Sequence, residues 1–160
     1  MSDAEYNRIV NQYADTIYRV ALSYSKSRFD AEDVVQNTFV KLLVKEVSFR
    51  DEDHLRRWLI RVAVNACKDI HKSFWRKNVD SIDEIPSEPV FTAEEKSDLY
   101  YAVMELPLKY RIVVHLFYYE GYSSKEIAGV LHIGETAVRT RLVRARNLLK
   151  QMLKEDWQDE

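Results

Sequence analysis

Residues Ser123 to Leu153, SSKEIAGVLHIGETAVRTRLVRARNLLKQML, restrict the fold of this chain more than any other stretch. Ser123 followed by Glu126 is a capping box, so a helix is predicted to start near Ser124. Ile127, Ala128 and Leu131 fit one face of it. His132-Ile133-Gly134 breaks the run, with Gly134 free to take backbone angles other residues avoid. A second helix then places Val138, Leu142, Ala145, Leu149 and Met152 at alternating steps of four and three, an amphipathic signature. At 100° per residue the opposite face collects Thr136, Arg139, Thr140, Val143, Arg144 and Asn147. Such a face suits the DNA major groove: arginines can pair with guanine or phosphate, Thr and Asn can hydrogen-bond, and Val143 can meet a thymine methyl. The pattern is that of a helix-turn-helix with its recognition helix.

Charge separates this reading from an ordinary solvated helix. Glu135 to Lys154 carries six Lys/Arg against one acid, in a chain whose formal net charge is −2. A basic stripe on a capped helix-turn-helix points to nucleic acid. The opposite charge gathers in residues 77–98, with two Lys against seven acids and two of the three prolines, Pro86 and Pro89. No helical or alternating pattern runs through Asn78 to Phe91, which is read as a linker. The expected parse is an N-terminal domain over 1–77, an acidic linker over 78–92 and a C-terminal helix-turn-helix domain over 93–160. Three glycines, three prolines and scarce β-branched alternation predict an all-α protein.

The first half carries its own surfaces. Apolar positions Ile9, Val10, Tyr13, Ile17, Val20, Ala21 and Tyr24 predict a helix over Tyr6 to Ser25. Asp30 is the expected N-cap of a second helix, with Glu32 and Asp33 in its positive first turn. That helix is expected to bury Val34, Val35, Thr38, Phe39 and Leu42 and to offer Asp33, Gln36, Asn37 and Lys41 elsewhere. Val44 to Asp53 reads as a loop. A long helix from Asp53 to about Trp75 is expected to put Leu55, Trp58, Leu59, Val62, Ala66 and Ile70 in the core. Arg57, Arg61, Asn65, Lys68, Lys72 and Arg76 fall within about 100° of one another, a stripe that could track a DNA backbone. Phe74 and Trp75 could stack or staple the helix end.

The single Cys67 excludes an intramolecular disulfide framework and leaves no zinc cluster. His54, His71, His115 and His132 have no metal-ligand spacing. With no phosphate loop, nucleophile elbow or paired catalytic carboxylates, no catalytic residue, cofactor or metal is expected. Lack of a signal peptide or an apolar run near 18 residues predicts a soluble, cytoplasmic protein.

DAEDVVQNTFVKLL, WLIRVAVNACKDIHKS and the terminal helix-turn-helix, in this order and separation, resemble sigma factors of the sigma-70 family. The brevity resembles the extracytoplasmic-function group, and the likeness runs from about Tyr6 to Leu153. The resemblance implies a non-catalytic subunit that brings RNA polymerase core, through its β′ and β subunits, to promoter DNA. It implies that Asp30, Asp33, Gln36 and Asn37 lie in the block docking on the β′ clamp helices. Val47 to His54 would capture a flipped base of the −10 element, with Phe49 a stacking or wall residue or else a buried loop anchor. Arg57, Arg61, Asn65, Lys68 and Lys72, with Asp69 completing an N-x-x-x-D pattern, would hold and open the −10 region. Thr136, Arg139, Thr140, Val143, Arg144 and Asn147 would read the −35 element. The acidic linker would thread toward the active centre, and an anti-sigma partner is implied. Ala137 stands where the family usually has threonine, and His132 where glycine is common. A dimeric helix-turn-helix regulator and a nucleic-acid-processing enzyme are the rivals, and co-purification with polymerase core separates all three.

Overall fold

The computed structural model describes residues 1–45, 48–77 and 98–158, with side chains described except at 73–77 and 155–158. Among the described residues every regular element is helical: α1 (Asp3–Ser25), α2 (Arg28–Val44), α3 (Glu52–Lys77), α4 (Asp98–Glu105), α5 (Leu108–Val114) running into a π-helical turn (His115–Tyr119), α6 (Ser124–Leu131) and α7 (Glu135–Gln158). The chain divides into two compact units, Met1–Pro89 and Val90–Glu160. The expected linker over 78–92 lies outside the described residues.

In the first unit α1, α2 and α3 pack pairwise around one core. Ile9, Tyr13, Ile17, Val20 and Ala21 line the buried side of α1, as its periodicity predicts. Ser27, not Asp30, caps α2: its hydroxyl accepts from the Asp30 backbone N–H at 3.2 Å. Serine serves as well as aspartate there, so the helix begins ahead of the predicted cap and Asp30 sits one turn in. Val34, Thr38, Phe39 and Leu42 are buried, and Val35 is half-buried.

The core face of α3 differs from the predicted one. Leu55, Leu59 and Ala66 are buried as expected, but Trp58, Val62 and Ile70 are half-exposed, while Ile60, Ala63, Val64 and Cys67 are buried. The buried arc is turned by about 80° on the helical wheel. α3 packs against both α1 and α2, so its buried surface spans two contacts instead of one narrow stripe.

In the second unit the apolar side of α7 (Val138, Leu142, Ala145, Leu149) is buried, and α4, α5 and α6 all pack on this helix. Their contributions to the core include Val103, Ile112, Val113, Ile127 and Val130. Buried Arg111 donates to the Leu106 carbonyl at 2.9 Å, tying the α4–α5 corner. At the π turn, His115 Nε2 lies 3.2 Å from Glu120 Oε1, both side chains buried, and Gly121 follows at φ 72.

The turn before α7 departs from its predicted chemistry. The left-handed residue is His132, the C-cap of α6 (φ 58), whose backbone N–H donates to the Ala128 carbonyl. Gly134 has no positive φ. A left-handed C-cap ends many helices, and here the chain reverses there instead of at the glycine.

Candidate nucleic-acid interface

α6 fixes the entry into α7. The capping box is present in both directions: the Glu126 backbone N–H donates to Ser123 Oγ, and the Ser123 backbone N–H donates to Glu126 Oε1, each at 3.1 Å. Residues 132–134 then turn the chain into α7. Thr136, Arg139, Thr140, Val143, Arg144 and Asn147 are all exposed on the side opposite the core, with Val143 at 52%. The structure therefore gathers on one outer face all six side chains selected from the sequence.

Three arginines of α7 interact with neighbouring side chains. Arg139 Nη1 lies 3.2 Å from Glu135 Oε1, one turn back. An exposed pair of this kind is worth only about 0.3–0.5 kcal/mol, so it leaves Arg139 free to exchange partners. Arg144 and Lys109 both act on the phenol of Tyr110 in α5. Burial pushes the Tyr110 phenol up, but hydrogen bonds and positive charge from Arg144 and Lys109 outweigh this and leave it lowered. On the other flank Arg146 Nε donates to the Tyr118 hydroxyl, and its guanidinium lies 5.6 Å from that ring's centre. Tyr110 and Tyr118 are not among the residues picked out from the sequence. Neither follows a periodic pattern, and only the packing of α5 on α7 reveals Tyr110.

The N-terminal unit presents a second basic surface. On α3, Arg61 and Lys72 are exposed while Arg57, Asn65 and Lys68 are half-buried. Their wheel positions centre within about 30° of the direction opposite the corrected core face, so the stripe survives the correction. Arg57 Nε donates to the Asp53 carbonyl at 3.3 Å. The side chains of Phe74, Trp75 and Arg76 lie outside the described residues.

The loop ahead of α3 is braced by its own side chains. The His54 backbone N–H donates to Asp51 Oδ1 at 2.7 Å, and the Arg50 backbone N–H donates to His54 Nδ1 at 3.1 Å. The half-buried Phe49 ring meets His54 edge-on at 5.4 Å and Trp58 at 5.5 Å. Phe49 is thus anchored to α3. Glu52 accepts from the Tyr13 hydroxyl at 2.6 Å and pairs with Arg8 at 2.9 Å, joining the start of α3 to α1. The Tyr13 hydrogen bond, then Arg8, hold the Glu52 carboxyl below its ordinary range. Burial and Glu52 push the Tyr13 phenol up to about 12.

On α2, Asp33, Gln36 and Asn37 are exposed, whereas Asp30 is half-buried and its charge reaches Cys67 of α3. Phe29 (75% exposed), Val40, Leu43 and Val44 share the outer side with Asp33 and Gln36. Phe29, Asp33, Gln36, Val40 and Leu43 run at steps of four, three, four and three, the spacing of a coiled-coil seam. That spacing is visible in the sequence, but attention to charge alone passes over its apolar members.

Among the described residues no group of three or more His, Cys, Asp or Glu is placed to hold a metal ion. None of the helices is long and apolar enough to cross a membrane.

Two helical units, one ending in a helix-turn-helix and one carrying a basic helix behind a braced loop, are the architecture of a two-domain transcription factor. Residues 9–78 match the family described as Sigma-70 region 2, and residues 96–149 match Sigma-70, region 4. The chain is 30% identical over 161 residues to the ECF RNA polymerase sigma factor SigM of Bacillus subtilis, covering 96% of this chain and 98% of that protein. It is 29% identical over 152 residues to RNA polymerase sigma factor SigV of the same organism, covering 92% and 90%. The sigma factor RpoE, crystallised with the anti-sigma factor NepR from Bartonella quintana, superposes with a TM-score of 0.81 at 26% identity, over 94% of this chain and 97% of that one. The chain belongs to the extracytoplasmic-function group of the sigma-70 family. Its function is to direct RNA polymerase core to promoters for the initiation of transcription, as a specificity subunit.

Proposed function

We propose that the two units divide promoter recognition between them: residues 1–77 dock on core and engage the −10 element, 78–92 link, and 93–160 read the −35 element. The observation that carries this is the outer face of α7, where Thr136, Arg139, Thr140, Val143, Arg144 and Asn147 stand clear of the core. An exposed helical face with two arginines, hydroxyls and a methyl-bearing side chain offers the contacts that major-groove edges accept. Arg57, Arg61, Asn65, Lys68 and Lys72 hold the −10 strand, and Phe49 forms one wall of the pocket for an extruded base, whose unstacking costs a few kcal/mol.

The α2 seam takes the polymerase β′ clamp helices. Asp33 and Gln36 lie within it and Asn37 at its edge, while Phe29, Val40 and Leu43 supply apolar area. Asp30 contributes least, being half-buried and turned toward α3. A regulator of the anti-sigma kind is a further partner, on the strength of the RpoE likeness. The chain works in the cytoplasm with the polymerase, without a catalytic residue of its own.

The test is in vitro transcription with added core and a randomised promoter library. Arg139→Ala is expected to lose roughly 1–3 kcal/mol and relax preference at one or two −35 positions. Asp33→Lys with Gln36→Ala is expected to weaken core binding in a pull-down titration. Unchanged strength and base preference in a folded Arg139→Ala protein would remove α7 as the reader.

A further inference from the structure

We propose that Arg144 with Tyr110, and Arg146 with Tyr118, form two phosphate-binding sites that grip the two DNA backbones on either side of α7. The inference rests on the −35 role of α7: it gives Arg144, at the edge of the recognition face, to the phosphate backbone, and adds Arg146, Tyr110 and Tyr118 from outside that face. Viewed down the helix, the centre of that face lies near Thr136 and Asn147. Arg144 falls about 70° to one side and Arg146 about 90° to the other, two residues or roughly 3 Å apart along the axis. A helix lying in a groove about 12 Å wide turns its flanks toward the two sugar-phosphate strands. Each flank arginine has a tyrosine from outside α7 beside it: Tyr118 of the π-helical turn accepts a hydrogen bond from Arg146, and Tyr110 of α5 is close enough to Arg144 and Lys109 for their charge to act on its phenol.

The chemistry of the pair suits a phosphate. The Tyr118 oxygen accepts from the Arg146 guanidinium, which leaves the tyrosine's own O–H free to donate. Four further guanidinium N–H groups remain for a bidentate contact with phosphate oxygens. Lys109, whose Nζ lies 5.0 Å from the Tyr110 ring centre, adds a second cation to the first site. Tyr118 is 52% exposed, so its hydroxyl is reachable. A guanidinium already held in place gives up less freedom on binding than one swinging in solvent. These contacts position the helix and carry no base identity.

The experiment uses holoenzyme reconstituted with core and a promoter duplex that the wild-type holoenzyme has selected from a randomised library, beside the same duplex with its −35 element scrambled. Tyr110→Phe and Tyr118→Phe keep the rings, and unchanged melting verifies the fold. Each is expected to lower affinity roughly three- to tenfold on both duplexes, with base preference unaltered. Because no charge is removed, the slope against salt should stay as in wild type, whereas Arg144→Ala and Arg146→Ala should each flatten it by about one unit. Tyr110→Phe combined with Arg144→Ala should lose less than the two separate losses multiplied together. If both phenylalanine variants bind like wild type while Arg139→Ala still alters base preference, the phosphate sites are refuted and the −35 assignment stands. If Arg139→Ala is silent as well, both fall together.

Discussion

The approach to α3 and the approach to α7 are built in opposite ways. Before α3, Asp51 caps the helix, His54 Nδ1 accepts from the Arg50 backbone N–H, and Phe49 packs on Trp58. Before α7 the chain passes through His132 in the left-handed region and then Gly134, around which a Cβ would meet nothing within 4 Å. The difference follows where each unit keeps its working groups. On the proposed division of labour, the first unit meets the −10 strand with a loop, so the loop itself must be held. The second would read with a helix, and its short turn needs only to set the angle between two rigid rods.

The largest expected effect tests the helix side of that contrast. Leu142→Ala should destabilise the C-terminal unit by about 2–5 kcal/mol through a core cavity, seen as a lowered melting transition without DNA. The turn next to it should tolerate far more. Asp51→Ala should cost the N-terminal unit roughly 0.5–2 kcal/mol through a lost cap. It should also weaken binding to a −10 fork-junction probe by more than its stability loss explains, because the loop is freed. Equal effects on probe and melting would mean that the bracing is structural only.

His132→Gly inverts the expectation. The exposed histidine holds a backbone conformation that costs non-glycine residues energy, so glycine should raise the C-terminal melting transition, by roughly 0.5–1 kcal/mol. A drop there would show that the imidazole makes a contact the turn depends on. The smallest effect is on acid stability. The Glu52 carboxyl is lowered in the folded chain from its ordinary value of 4.5. The stability it adds is fully present above that value and is lost as pH falls through the folded one. Glu52→Gln should therefore flatten the acid limb of the melting curve below about pH 4.5, slightly, since the carboxylate is exposed. An unchanged limb would dissociate the Tyr13–Glu52–Arg8 link from stability.

How much of this is legible in sequence depends on how many neighbours a helix has. The steps of four and three in α7 name its core and its outer face together, and α1 reads equally well. α3 does not, because two partners bury a wide arc and Trp58, Val62 and Ile70 end at its margin. Cap chemistry gives the box at Ser123 correctly but points to Asp30 for α2, where Ser27, three residues earlier, makes the capping hydrogen bond. The tyrosines beside α7 belong to no repeat and emerge only once α5 and the π turn are folded against it.

Cys67 carries a consequence of a different kind. It is the chain's single thiol, it lies in the core of the N-terminal unit, and burial, with the charge of Asp30, raises it to about 12. A buried, protonated thiol is inert to alkylating reagents, so it reacts only when that unit opens. The molecule therefore contains its own stopwatch: the rate of Cys67 labelling times the opening of one unit while the other, having no cysteine, stays silent.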